Sequence, residues 1–167
     1  QAAHYSSTID LLDWEHDRQI RYLDNGKSQP RDLKLEEVAP AAAIVVDPLR
    51  GDLFTADQKS NLIWRIPNDA EKKPTQLTTQ IDGEVVYLGI DSESRKLYWL
   101  EKAAARSGGA QLKSIELSGG APTRVHAFSA PPLALTVSGS QVYYIDALSG
   151  DLVQFNLEEK KEQRLEG

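Results

Sequence analysis

Phe54-Thr55-Ala56-Asp57, Tyr98-Trp99-Leu100-Glu101 and Tyr143-Tyr144-Ile145-Asp146 are versions of one signal, an aromatic-rich strand closed by an acid, at intervals of 44 and 45 residues. Self-similarity at a fixed period constrains a fold more than any single segment does. It predicts stacked units, none of which buries its apolar surface alone. Leu12-Asp13-Trp14-Glu15, 42 residues before Phe54, is a weaker fourth copy with Leu in the aromatic position.

The register extends beyond the signal. Each strong copy follows an apolar run: Ala43-Ile44-Val45-Val46-Asp47, Tyr87-Leu88-Gly89-Ile90-Asp91 and Leu133-Ala134-Leu135-Thr136-Val137. Each run ends in turn chemistry at Leu49-Arg50-Gly51, Glu93-Ser94-Arg95 or Ser138-Gly139-Ser140, of the kind that joins antiparallel strands. A third strand opens at Leu62, Leu112 or Leu152, with Ile20 in that place in the first module, and a short fourth carries Leu33, Leu77, Val125 or Leu165. The modules are 9–38, 41–80, 84–128 and 132–167, the first lacking its inner strand.

Four-stranded antiparallel modules of about 40–45 residues with an aromatic–acid signature read as all-β propeller blades. The expected architecture is a single propeller domain or propeller portion over residues 1–167, closed on four blades or forming part of a larger six-bladed ring. No segment sustains a helical apolar period, and Lys102–Ala110 reads as an enlarged loop. A flank left open by an incomplete ring is adhesive, so a partner chain or second copy that completes the propeller is expected.

Composition removes several functions. The net charge of −6 argues against nucleic acid or an anionic membrane as partner, and no apolar stretch is long enough to span a bilayer. With no cysteine there is no disulfide, thiolate metal site or cysteine nucleophile. Met is also absent, so Gln1 reads as the start of a mature or excised piece. His4, His16 and His126 are too scattered to predict a metal centre, and no serine elbow, zinc-binding helix motif or phosphate loop occurs. The expectation is no catalytic residue, no metal and no cofactor, although spacing alone leaves calcium binding by oxygen ligands open.

The order of apolar strand, Asp, turn and aromatic–acid strand resembles the YWTD propellers of the low-density-lipoprotein receptor and epidermal growth factor precursor family. Val46-Asp47 through Asp57 and Ile90-Asp91 through Glu101 carry the resemblance, which extends over most of residues 9–165. It implies a six-bladed ring, an extracellular or cell-surface ectodomain (periplasmic in a bacterium), and a protein-binding surface after the signature strands. That surface would fall at His16, Gln58, Lys102 and Leu148, where the large groups common in the family are missing.

The repeated acids Glu15, Asp57, Glu101 and Asp146 occupy equivalent places in successive modules, so they need not converge on one point. They read as structural, each accepting backbone or hydroxyl hydrogen bonds at a blade turn or to its neighbour; Asp47 and Asp91 read as turn caps. Trp14 differs from the other strand aromatics, because Asp13, Glu15, His16 and Asp17 surround it. It is a candidate contact for a partly basic protein ligand. Three functions follow: a non-enzymatic recognition module, a structural or assembly propeller completed by another chain, and a metal-dependent hydrolase or lactonase. The residue pattern favours the first.

Overall fold

The computed structural model describes residues 9–13, 19–23, 31–34, 41–57, 62–69, 72–78, 81–103 and 108–165, with side chains from Ala43 onward. Every regular element among them is a β-strand, and every pairing is antiparallel between strands consecutive in sequence. The chain divides into two compact units, Gln1–Pro40 and Ala41–Gly167. In the first, β1 (Ile9–Asp13), β2 (Gln19–Leu23) and β3 (Arg31–Lys34) form one sheet, with Ile20 opposite Leu12 on one side and Leu33 on the other.

The second unit holds three four-stranded sheets. They are β4 (Ala41–Val46), β5 (Leu53–Asp57), β6 (Ile63–Ile66) and β7 (Thr75–Thr78); β8 (Gly83–Asp91), β9 (Lys96–Ala103), β10 (Ala110–Glu116) and β11 (Thr123–Phe128); and β12 (Ala134–Ser138), β13 (Gln141–Ile145), β14 (Leu152–Asn156) and β15 (Lys161–Leu165). The leading strand β8 lies beside β4 on one side and β12 on the other, so the sheets follow one another through their first strands. The predicted loop at Lys102 is shorter than expected: Lys102 and Ala103 remain in β9, and Ala103 N–H donates to Gly109 C=O at 3.0 Å. Residues 104–107 of that loop lie outside the described residues.

Strand alternation sorts the signature residues onto two faces. Phe54 and Ala56 of β5 share a core with Leu97 and Trp99 of β9, while Tyr98, on the opposite face of β9, shares a second core with Val142 and Tyr144 of β13. The middle sheet is therefore buried on both sides. This explains the uninterrupted Leu97-Tyr98-Trp99-Leu100 run, which alternates in facing but not in polarity.

At the rim formed by the β4–β5, β8–β9 and β12–β13 hairpins, one turn device recurs. Asp47 Oδ1 accepts the Leu49 N–H at 3.0 Å, and Asp91 Oδ1 accepts the Glu93 N–H at 3.1 Å. Asn156, at the β14–β15 hairpin of the same rim, accepts the Glu158 N–H at 2.9 Å; Asp146, at the opposite rim, accepts that of Leu148 at 2.9 Å. Four residues beyond each cap the chain enters the left-handed region: Gly51, Arg95, Gly150 and Lys160. Glycine does so freely, whereas Arg95 at φ +57° is strained. Its guanidinium reaches the neighbouring sheet and grips Asp47 through Nη1–Oδ1 (2.8 Å) and Nη2–Oδ2 (2.5 Å). Burial of Asp47 opposes its charge, but this fork and the turn N–H bonds hold its pKa below the usual aspartate value.

Tyr87 makes the matching link between the second and third sheets, its hydroxyl accepting the Val137 N–H at 2.9 Å. The ring lies over Gly89, where a Cβ would stand 2.2 Å from the Tyr87 oxygen. Gly89→Ala is expected to displace the tyrosine, break the link and cost about 1–3 kcal/mol. An unchanged thermal midpoint would show that this link contributes nothing.

The outer strands of the same two sheets meet at His126. Its ring stands 4.6 Å from Phe128 and 4.5 Å from Phe155, and Nε2 lies 3.2 Å from Glu162 Oε1, which also accepts the Tyr144 hydroxyl at 2.7 Å. Burial lowers the His126 pKa and Lys160 adds to the effect, together outweighing attraction to Glu162. A depressed folded pKa means that the unfolded chain takes the proton first, so this stability is complete above the ordinary histidine range and is lost as pH falls through it. The thermal midpoint should drop from pH 7 towards about pH 5, with a slope from this group of at most about 1.4 kcal/mol per pH unit, and His126→Phe should flatten that part of the profile. An identical profile for the variant would rule out His126 as the source.

Candidate binding rim

The three signature strands β5, β9 and β13 end on the opposite rim, where the sheets also connect to one another. Their acids finish differently. Asp57 N–H donates to Leu62 C=O at 2.9 Å in the β5–β6 connection. Glu101 is 3 % exposed, ion-pairs with Lys113 and accepts the Trp99 indole N–H at 3.2 Å. Lys113 also reaches Asp82 at 2.8 Å; burial opposes its charge, but the hydrogen bonds to Asp82 and Glu101 win and raise its pKa. Asp146 accepts the Leu148 and Ser149 N–H groups at 2.9 and 2.8 Å, which lower its pKa. Glu101 thus differs from the sequence expectation in kind: its partners are an ammonium and an indole rather than backbone or hydroxyl groups. Among the described residues no group of three or more His, Cys, Asp or Glu is placed to hold a metal ion.

Of the residues predicted to contact a ligand, Trp14, His16 and Gln58 lie outside the described residues, as does Glu15. Lys102 and Leu148 are described, and both are exposed on this rim, at the ends of β9 and β13. Lys102 pairs in register with Glu84 of β8, whereas Leu148 stands at the tip of the β13–β14 turn, 76 % exposed. Leu133 and Leu152 are also exposed at this end of the sheet, at 72 % and 44 %. Leu133 N–H donates to Ile145 C=O, and Leu152 pairs with Ile145, so both leucines flank one residue. By pattern Leu133 is the start of an inner strand, which hides its exposure; its position directly after Pro131-Pro132, outside β12, is the available signal.

Equivalent positions on the three sheets show why Leu152 is open. Ala56 and its partner Ile63 are buried against β8–β11, and Leu100 and its partner Leu112 are likewise buried. Ile145 and its partner Leu152 repeat that pair on the last sheet, yet Ile145 is half-buried and Leu152 exposed. Tyr143, equivalent to Phe54 and Tyr98, is also half-buried. This face of β12–β15 packs against no other sheet of its unit.

No known family profile matches the sequence, and none of the curated proteins does. Solved structures do match. A chain of the nidogen/laminin complex aligns over 89 % of this chain at 21 % identity with a TM-score of 0.67, and a putative TolB from Agrobacterium tumefaciens over 94 % at 14 % identity with a TM-score of 0.66. A puromycin-hydrolyzing peptidase of Mycobacterium tuberculosis aligns over 96 % at 17 % identity, also at 0.67. The fold is that of β-propeller blades. The chain spans 56 %, 59 % and 29 %, respectively, of the nidogen-complex, TolB and peptidase chains that it matches. At these identities the likeness concerns the architecture, which carries both non-enzymes and a peptidase.

Proposed function

We propose that this chain is a non-enzymatic, protein-binding part of a propeller of the YWTD type, within an extracellular or cell-surface recognition protein. The observation that carries the reading is the exposed Leu133, Leu148 and Leu152 on the connecting rim of the last sheet. Apolar groups gathered at one end of a sheet are a typical protein-contact surface. The absence of catalysis is part of the proposal: Glu101 is occupied by Lys113 and Trp99, and Asp146 by its own turn. The neighbour crystallised as a nidogen/laminin complex is a precedent for this architecture in an assembly with another protein.

Peptides selected by display against the wild-type chain test the reading. Their affinity should fall about tenfold or more on Leu133→Asp/Leu148→Asp, both fully surface changes, with the thermal midpoint unchanged. Selected peptides that bind the double variant as tightly would reject this rim.

A structural role is the second reading, favoured by the face at Tyr143, Ile145 and Leu152, against which no other sheet of its unit packs. Under it, a further sheet from a partner chain or another segment covers this face and completes the propeller. Sedimentation across the micromolar range, with Tyr143→Arg as control, distinguishes self-association through this face from a monomer; self-association unaffected by the substitution would exclude the face.

A further inference from the structure

Strand register lays out the outward face of β12–β15 in three rows. Nearest the connecting rim, Ala134, Ile145, Leu152 and Leu165 are partners across the four strands and make an apolar row. Thr136, Tyr143, Gln154 and Gln163 form the middle row, and Ser138, Gln141, Asn156 and Lys161 the row nearest the hairpin rim. Lys161 is the one charged residue among them, and its ammonium pairs with Glu159 at 3.4 Å. Gln154 Nε2 donates to Gln141 Oε1 at 3.1 Å, which leaves the Gln154 side-chain carbonyl and the Tyr143 hydroxyl with no partner among the described residues. A face so nearly uncharged does not repel a copy of itself.

An isologous dimer requires each row to meet a compatible row of the same face. Two in-plane two-fold axes keep the strands of such a pair aligned. The axis across the strands would set the apolar row on the Ser138 row and press Lys161 against Leu165. The axis along the strands, between β13 and β14, keeps every row on itself and lays β12 over β15 of the other copy. Ile145 then meets Leu152, Ala134 meets Leu165, Ser138 meets Lys161 and Tyr143 meets Gln154, each contact occurring twice. The free hydroxyl is a donor and the free carbonyl an acceptor, so these two groups satisfy one another. We propose that two copies of this chain dimerise through this face about that axis, with reciprocal Tyr143–Gln154 hydrogen bonds. The inference rests on the structural reading above and names the occupant of the face. Four five-residue strands spaced ~4.8 Å apart make a contact well under the ~800 Å² per partner of standard interfaces, so a Kd on the order of 100 µM is expected. Both connecting rims then point the same way, and Leu133 and Leu148 of the two copies form a bivalent surface.

Sedimentation equilibrium from about 10 µM to 1 mM should show a monomer–dimer equilibrium that Tyr143→Arg weakens by about tenfold or more. Cross-linking reads the orientation, because the chain has no cysteine of its own. Chains carrying Thr136→Cys and chains carrying Gln163→Cys, both at exposed positions, are mixed in a glutathione redox buffer. The mixed disulfide should exceed either self-disulfide by about tenfold, and Tyr143→Arg in both chains should suppress it. A dominant self-disulfide of the Thr136→Cys chain would indicate the axis across the strands, and proportions set by collision alone would indicate no fixed pairing; either overturns the proposal. A monomer at every concentration overturns the dimer while leaving a different chain as the cover of this face. Association that Tyr143→Arg does not weaken removes the face, and the structural reading falls with it.

Discussion

Lys113→Leu is expected to lower stability by about 3–5 kcal/mol, because it leaves Glu101 as an uncompensated buried carboxylate. Lys113 is 10 % exposed at its side chain and Glu101 3 %, so solvent cannot replace the lost ammonium. The thermal midpoint should fall by roughly 10 °C, given about 2–4 °C per kcal/mol in a domain of this size. Adding Glu101→Gln should recover much of the loss, since a glutamine oxygen can still accept the Trp99 indole N–H without its charge. A single substitution that costs less than about 1 kcal/mol would show the pair to be dispensable. The sign of the alkaline response also follows. Lys113 has a raised folded pKa, so its contribution is complete below the ordinary lysine value and is lost as pH rises past the folded one.

Trp99→Ala should cost about 3–5 kcal/mol through the cavity it leaves. Trp99 is fully buried in the core that also contains Phe54, Leu88, Leu97 and Ile115. The change also removes the indole donor to Glu101, so its effect and that of Lys113→Leu should not add. Denaturant titrations of the two single variants and the double variant would measure the coupling. Strict additivity would mean that indole, carboxylate and ammonium do not act as one cluster.

Much of the architecture was readable because the repeat writes the same instructions several times. Phe54, Tyr98 and Tyr143 open the same four-residue signal in each module, and strand alternation puts them on corresponding faces. The turn caps Asp47 and Asp91 were legible because Asx residues bond their own backbone two residues ahead, a local effect. Contacts between strands and between sheets were not legible in this way. That Lys113 meets Glu101 depends on the β9–β10 register, which sets Lys113 opposite Trp99 and next to the acid. That Arg95 grips Asp47 depends on the packing of separate sheets, and no sequence spacing specifies it. The exposure of Leu152 was hidden for the opposite reason: its pattern is that of a buried residue, and it surfaces because no other sheet of its unit packs on that face.

Among the described residues two buried groups, Thr55 Oγ1 and Trp64 Nε1, have no hydrogen-bond partner, although the residues are register partners on β5 and β6. The cost of leaving such a group unmatched is about 1–3 kcal/mol. In the next sheet the equivalent register pair is Trp99 and Lys113, both held by Glu101, so the repeat preserves the pairing at this position more faithfully than its polar satisfaction.

Each sheet is woven from strands that follow directly in the chain, and this has a kinetic consequence. Almost all backbone pairing is between near neighbours in sequence, so little loop entropy is lost before contacts begin to compensate. Each hairpin series can condense as soon as its own segment has emerged during synthesis. What must wait are the few inter-sheet locks, Arg95 on Asp47 and Tyr87 on Val137, which join segments already shaped. Substitutions at those locks should therefore speed unfolding while leaving the rate of folding nearly untouched.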